Sequence, residues 1–125
     1  GEEYSIMCRH KDTAVVRDSN NLYWYKDYDS FGIRIICLDS HMGEGTNGYG
    51  SSWGYPKEVI DWVRDKALDT NYQVLFLSHI PLTADYNAYQ SPIINSELLR
   101  GIIKNFMTNG GTVIGFIHAT LIGIL

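Results

Sequence analysis

Val74-Leu75-Phe76-Leu77-Ser78-His79-Ile80-Pro81-Leu82 is the stretch whose reading decides the fold. Residues 74–77 form an unbroken apolar run with polar residues on both sides, Asn71, Tyr72 and Gln73 before it and Ser78 and His79 after it. A short run of this kind reads as a strand covered on both faces, as in parallel sheets. Ligands of open α/β sheets gather beyond the carboxyl ends of the strands, so Ser78 and His79 stand where chemistry is usually found. Pro81 stops the strand because it has no N–H to give to a ladder.

Upstream, Pro56, Lys57 and Glu58 open a helix over residues 56–68. Proline suits the first helical position and glutamate complements the N-terminal dipole. Val59, Ile60, Trp62, Val63 and Ala67 supply its apolar stripe, with Asp61, Arg64, Asp65 and Lys66 mainly on the other side. Before the helix, residues 42–54 (MGEGTNGYGSSWG) have the composition of a surface loop. They lack the Gly-Lys-Ser/Thr ending of a phosphate-cradling loop. Earlier still, the aromatic run at 22–28 and the apolar run at 33–38 flank the turn Asp29-Ser30-Phe31-Gly32, which predicts a β-hairpin with the second strand innermost. Residues 14–16 fit a further short strand.

Downstream, residues 83–92 read as a connecting loop. Asn95, Ser96 and Glu97 can cap a second helix, whose apolar residues Leu98, Leu99, Ile102, Ile103, Phe106 and Met107 recur at three-and-four spacing. Gly110 and Gly111 suit its left-handed ending. Residues 112–117 then predict another buried strand, ending in His118. The order hairpin, helix, strand, helix, strand predicts an α/β fold with a mixed, largely buried sheet and flanking helices, in a single domain over residues 1–125.

The 125 residues are 45% hydrophobic and 19% charged, an ordinary globular composition rather than a disordered one. A net charge of −4 gives no general attraction to polyanions, so nucleic acid is not an expected partner. No apolar run approaches the roughly 18 residues of a membrane span, and none near Gly1-Glu2-Glu3 has the makings of a signal peptide. The expectation is therefore no membrane partner and a cytoplasmic location. The start at Gly1 fits a cleaved tag or a chain cut from something longer. Two cysteines are too few for a disulfide scaffold, and Cys37 reads as a small buried hydrophobe.

The strand ends carry the candidate chemistry. Asp39-Ser40-His41, Ser78-His79 and His118 each follow a predicted strand. If those strands are neighbours, their ends lie along one edge of the sheet, and imidazoles with a carboxylate suit a transition metal. The candidate metal-binding residues are thus His79, with His118, His41 and Asp39 beside it. A serine hydrolase built on Ser78 is disfavoured, since adjacent Ser78 and His79 on a strand point to opposite faces.

The segments 22–39, 56–68, the strand with Leu77-Ser78-His79-Ile80-Pro81-Leu82, and the helix–strand pair ending in His118 together resemble the C-terminal half of a calcineurin-like metallophosphoesterase. The resemblance covers roughly residues 20–118. It implies half of that family's β-sandwich, and hydrolysis of phosphate esters by the complete family with divalent Mn, Fe or Zn. It also implies that His79, in the Ser-His-x-Pro segment, is a metal ligand.

Several motifs of the family have no counterpart here. Residues 1–35 hold no Asp-x-His, and the chain has no Gly-Asp-x-x-Asp and no Asn-His pair. The closing Gly-His-x-His is broken: with His118 as its first histidine it reads Ile117-His118-Ala119-Thr120, and begun instead at Ala119 its histidine positions hold Thr120 and Ile122. The resemblance therefore implies a fragment or truncated form of a metal-dependent phosphoric ester hydrolase, inactive as an isolated chain and binding metal weakly or not at all. The absent half would uncover a sheet edge, and the apolar tail at residues 119–125 needs cover, so a homodimer or higher oligomer is expected through both. The alternative is a non-enzymatic α/β module that self-associates or docks through the tail and the aromatic segments 23–28 and 49–55.

Overall fold

The computed structural model describes residues 15–17, 23–38, 41–44, 51–78, 80–86 and 92–118. Its strands are β1 (Val15–Arg17), β2 (Trp24–Tyr28), β3 (Ile33–Leu38), β4 (His41–Glu44), β5 (Ser51–Trp53), β6 (Gln73–Ser78) and β7 (Val113–His118). Helix α1 (Lys57–Trp62) runs straight into a π-helical turn at Val63–Ala67, and α2 is Ser96–Thr108. Five strands form one mixed sheet in the order β1-β2-β3-β6-β7, antiparallel up to β3 and parallel from there on. The fold is α/β, as the alternation of periods predicts.

The β2–β3 hairpin turns through a 3-10 segment, Asp29–Phe31. Gly32 completes the turn at φ 62°, a left-handed conformation that glycine adopts without steric cost. Its N–H donates to the Asp29 carbonyl, and its own carbonyl accepts from Gln73 N–H at 2.9 Å, which starts the parallel pairing of β3 with β6.

One side of the sheet is the core. The register places Arg34, Ile36 and Leu38 beside Val74, Phe76 and Ser78, and all six are buried. Both helices cover this side, packing Val59, Ile60, Val63, Leu99 and Ile103 into the same cluster as Ile36, Val74 and Phe76. Each such aliphatic or aromatic side chain contributes about 1.5–3 kcal/mol on full burial. On the other side Trp24 and Cys37 are buried opposite each other, but Ile35, Leu75 and Leu77 are half-buried. The strand read as covered on both faces is thus fully covered on one, where alternation sends Val74, Phe76 and Ser78 under the helices.

Arg34 is the charged residue drawn into this core. Its guanidinium makes paired bonds to the Asp27 carboxylate at 2.7 and 3.0 Å, donates to the Ala67 carbonyl at 3.1 Å and lies 3.7 Å from the Tyr25 ring centre. The end of a helix leaves carbonyls without partners, and Arg34 takes up some of those released by the π turn. Burial opposes its charge, but the bond and ion pair with Asp27, together with the nearby Tyr25 and Asp69, outweigh that and hold the arginine pKa above its ordinary value.

Four local expectations are corrected. Residues 42–54 are not all loop, because most of β4 and all of β5 fall among them and pair as a two-stranded sheet. Pro56 sits just before the helix, in extended backbone with ψ 159°, rather than at its first residue. Asn95 precedes α2 at φ 63° and makes no side-chain cap; its amide instead donates to the Tyr55 carbonyl at 2.7 Å. β7 is not a buried strand but, among the described residues, the end strand of the sheet, with Ile114, Phe116 and Ile117 exposed. The ending of α2 is as the glycines predict: Gly110 has φ 100°, and Gly111 N–H donates to Phe106 C=O at 2.9 Å.

Candidate functional site

The carboxyl ends of the three parallel strands lie in one row. Leu38 at the end of β3 is in register with Ser78 at the end of β6, and Ser78 is in register with His118 at the end of β7. At about 4.8 Å per strand step, the ends of β3 and β7 are about 10 Å apart. His118 takes the position beside Ser78 on the helix-covered side, two residues after the stacked Phe76 and Phe116 rings, whose centres are 5.7 Å apart. Its side chain is half-buried.

Asp39 and His79 lie outside the described residues. The chain positions just before them, Leu38 and Ser78, are adjacent in the sheet. His41 opens β4, where it pairs with Trp53. β4 belongs to the small separate sheet, so the backbone leaves the main sheet before His41. Among the described residues no group of three or more His, Cys, Asp or Glu stands together as a metal site.

Beneath the row is a polar contact that sequence reasoning missed. The Tyr55 hydroxyl is 3.2 Å from Ser78 Oγ, and both side chains are buried. Burial pushes the tyrosine hydroxyl up to about 12, partly offset by the bond to Ser78. Ser78 therefore has a tyrosine for its hydroxyl partner and is closed off from solvent. Tyr55 is held in turn by the segment before α2. Its N–H donates to Ile94 C=O at 2.9 Å, and its carbonyl accepts from Asn95. Gly54 makes this approach possible: it has φ 149°, and a Cβ there would fall 2.5 Å from the Ile94 oxygen. In sequence, Gly54 was one glycine among many in a glycine-rich segment.

A second polar cluster stands at the start of α2. Ser96 Oγ donates to Asp85 Oδ1 at 3.0 Å, and Arg100 donates to the same oxygen at 2.6 Å. The Arg100 bond, helped by Ser96, holds the Asp85 carboxyl below its ordinary value. An open groove of about 1230 Å³ runs from here along α2 to the end of the π turn, over Leu68, Asn71, Ile102, Asn105 and Phe106. Its described lining includes Asp85 and Ser96 but not Tyr55, Ser78 or His118. None of the described residues at the three strand ends lines this groove.

Comparison of the chain with protein-family models, with curated proteins and with solved structures finds no significant match. No helix among the described residues is long and apolar enough to cross a membrane.

Proposed function

We propose that the carboxyl edge of β3, β6 and β7 is one part of a metal-dependent phosphoester hydrolase site, carried on a fragment that is inactive by itself. The observation that supports this reading is the register of Leu38, Ser78 and His118, because it makes neighbours of His118 and of the two residues that Asp39 and His79 follow in sequence. Imidazole and carboxylate donors fit Mn, Fe or Zn. His79 and His118 are the residues that would hold such an ion, with Asp39 and His41 beside them. A divalent ion there would polarise a phosphoryl oxygen and make water a stronger nucleophile at neutral pH. The chain's own contribution is positional: the buried Tyr55–Ser78 contact fixes the end of β6, the residue before His79 in sequence.

The inactivity follows from ligand supply. A catalytic zinc typically takes three protein ligands, and a two-metal site takes more. This chain has four histidines in all, and none of the carboxylate-rich motifs of the family it resembles. Assays with p-nitrophenyl phosphate and bis(p-nitrophenyl) phosphate in Mn, Fe or Zn are expected to show no turnover above metal alone. Robust turnover abolished by His79→Ala would show a complete site and overturn the fragment reading.

A further inference from the structure

We propose that the outer edge of β7 is a self-association surface, on which a second copy of this chain docks its own β7 antiparallel across a two-fold axis. The proposal does not depend on the phosphoester reading. Among the described residues, β7 has a strand on only one side, its partner β6. Its other side offers a row of backbone groups, and Ile114, Phe116 and Ile117 are 48, 39 and 54% exposed along it.

Edge strands are ordinarily blunted by lysine, proline or extreme shortness. β1, at the opposite edge, is 3 residues long and ends in Arg17. β7 has 6 residues, and neither a charge nor a proline occurs from Val113 to Ile117. An uncharged strand suits a copy of itself, because antiparallel pairing sets no like charges opposite each other. It offers nothing to hold a charged peptide in register.

Size and charge extend the contact to α2. A stable interface takes about 800 Å² from each partner, more than a six-residue edge strand supplies alone. Helix α2 leads from the carboxyl end of β6 to the start of β7, so it runs opposite to β7. A two-fold axis through the paired strands then brings the first half of one α2 toward the second half of the other. Glu97 and Lys104, both exposed, lie in those halves two turns apart, and neither forms an ion pair among the described residues. Across the axis each meets the opposite charge, while exposed Met107 adds apolar area.

Light scattering on size-exclusion peaks over a range of concentrations tests the proposal. The expected mass is about twice the 14.2 kDa of the chain. Ile114→Lys combined with Ile117→Lys should weaken association at least tenfold with an unchanged circular dichroism spectrum. Glu97→Lys and Lys104→Glu should each weaken it, and the two together should restore it. In the unaltered chain, amide exchange over 113–118 should slow as concentration rises, a readout that needs no variant to fold. A monomer at all concentrations, a dimer indifferent to the lysine pair, or concentration-dependent protection confined to another segment would each overturn the proposal.

Discussion

Tyr55 and Ser78 bond to each other, hydroxyl to hydroxyl at 3.2 Å, in a site where both side chains are buried. The contact joins the segment before α1 to the last residue of β6, so it fixes the strand end on which the candidate chemistry rests. Tyr55→Phe keeps the ring but leaves the serine hydroxyl without this partner. The expected loss is about 1–2 kcal/mol of unfolding free energy, measured by denaturant titration. The same substitution should alter alkaline unfolding. The tyrosine hydroxyl is neutral in the fold up to about 12, whereas in the unfolded chain it ionises near 10. The folded pKa is therefore raised, and the stability it confers is full below about pH 10 and lost as pH climbs toward 12, at up to about 1.4 kcal/mol per unit. The difference between the parent chain and Tyr55→Phe should shrink over that window. A constant difference from pH 8 to 12 would show that Tyr55 ionises freely in the fold.

Gly54→Ala should be costly for a substitution so small. The backbone has φ 149°, and the added methyl would meet Ile94 O at 2.5 Å and Ile94 N at 2.6 Å. Relief requires the 54–55 strap to leave the 93–95 segment, breaking the Tyr55 N–H to Ile94 bond. A destabilisation of roughly 3 kcal/mol is expected from strain of this kind. Gly101→Ala makes the control. No heavy atom lies within 4 Å of the position a Cβ would take there, and alanine is the better helix former. It should stabilise the chain by up to about 1 kcal/mol. Equal effects of the two substitutions on thermal unfolding would remove the case for a close approach at Gly54.

Asp27→Ala tests the arginine clamp. Arg34 is buried in bidentate contact with Asp27, and its remaining donors are committed to the Lys66, Ala67 and Asp69 carbonyls. Removing the carboxylate leaves a buried cation with only carbonyl dipoles and the Tyr25 ring, an expected loss of about 3 kcal/mol. Arg34→Lys should cost a similar amount, since an ammonium cannot make the paired bond and reach Ala67 together. Arg34→Met should cost less than Asp27→Ala, because it removes the charge along with its partner. The reverse order in urea titrations would show that the helix-end carbonyls, not Asp27, hold the arginine.

Much of this architecture was legible in the sequence because it follows from local period. The three-and-four spacing of Leu99, Ile102, Ile103 and Phe106 marks α2, and the runs at 24–28 and 33–38 mark a hairpin whose Gly32 turn could hardly be read otherwise. The exposure of β7 was not legible. An apolar run such as Val113-Ile114-Gly115-Phe116-Ile117 looks the same at the centre of a sheet as at its end, and only strand order distinguishes the two cases. The Tyr55–Ser78 contact was hidden for a similar reason. The two residues are far apart in the chain, and Tyr55 lies beside a glycine-rich stretch whose composition gives no sign that its end is pinned against residues 94–95. For the site itself, the sequence named residues at three strand ends, and the register explains why two of those ends and His118 belong together. His41 was grouped with them by its position after β3, but the chain turns into the separate β4–β5 pair there.

Divalent-metal titration of the intact chain discriminates among these histidines. If the strand-end row is a partial metal site, Mn or Zn should bind weakly in calorimetry. His79→Ala and His118→Ala should each lower the affinity about tenfold or more, since each removes one of few protein ligands. His41→Ala should have the smaller effect, because β4 carries that residue out of the main sheet. Ser78→Ala separates ligation from support. It deletes the hydroxyl bonded to Tyr55 and should lower stability by about 1–2 kcal/mol while leaving a measurable metal affinity, since serine is not among the donors proposed. Affinity lost in His41→Ala but kept in His118→Ala would move the site off the β6–β7 edge. Affinity indifferent to all three histidines would end the case for a metal site on this row.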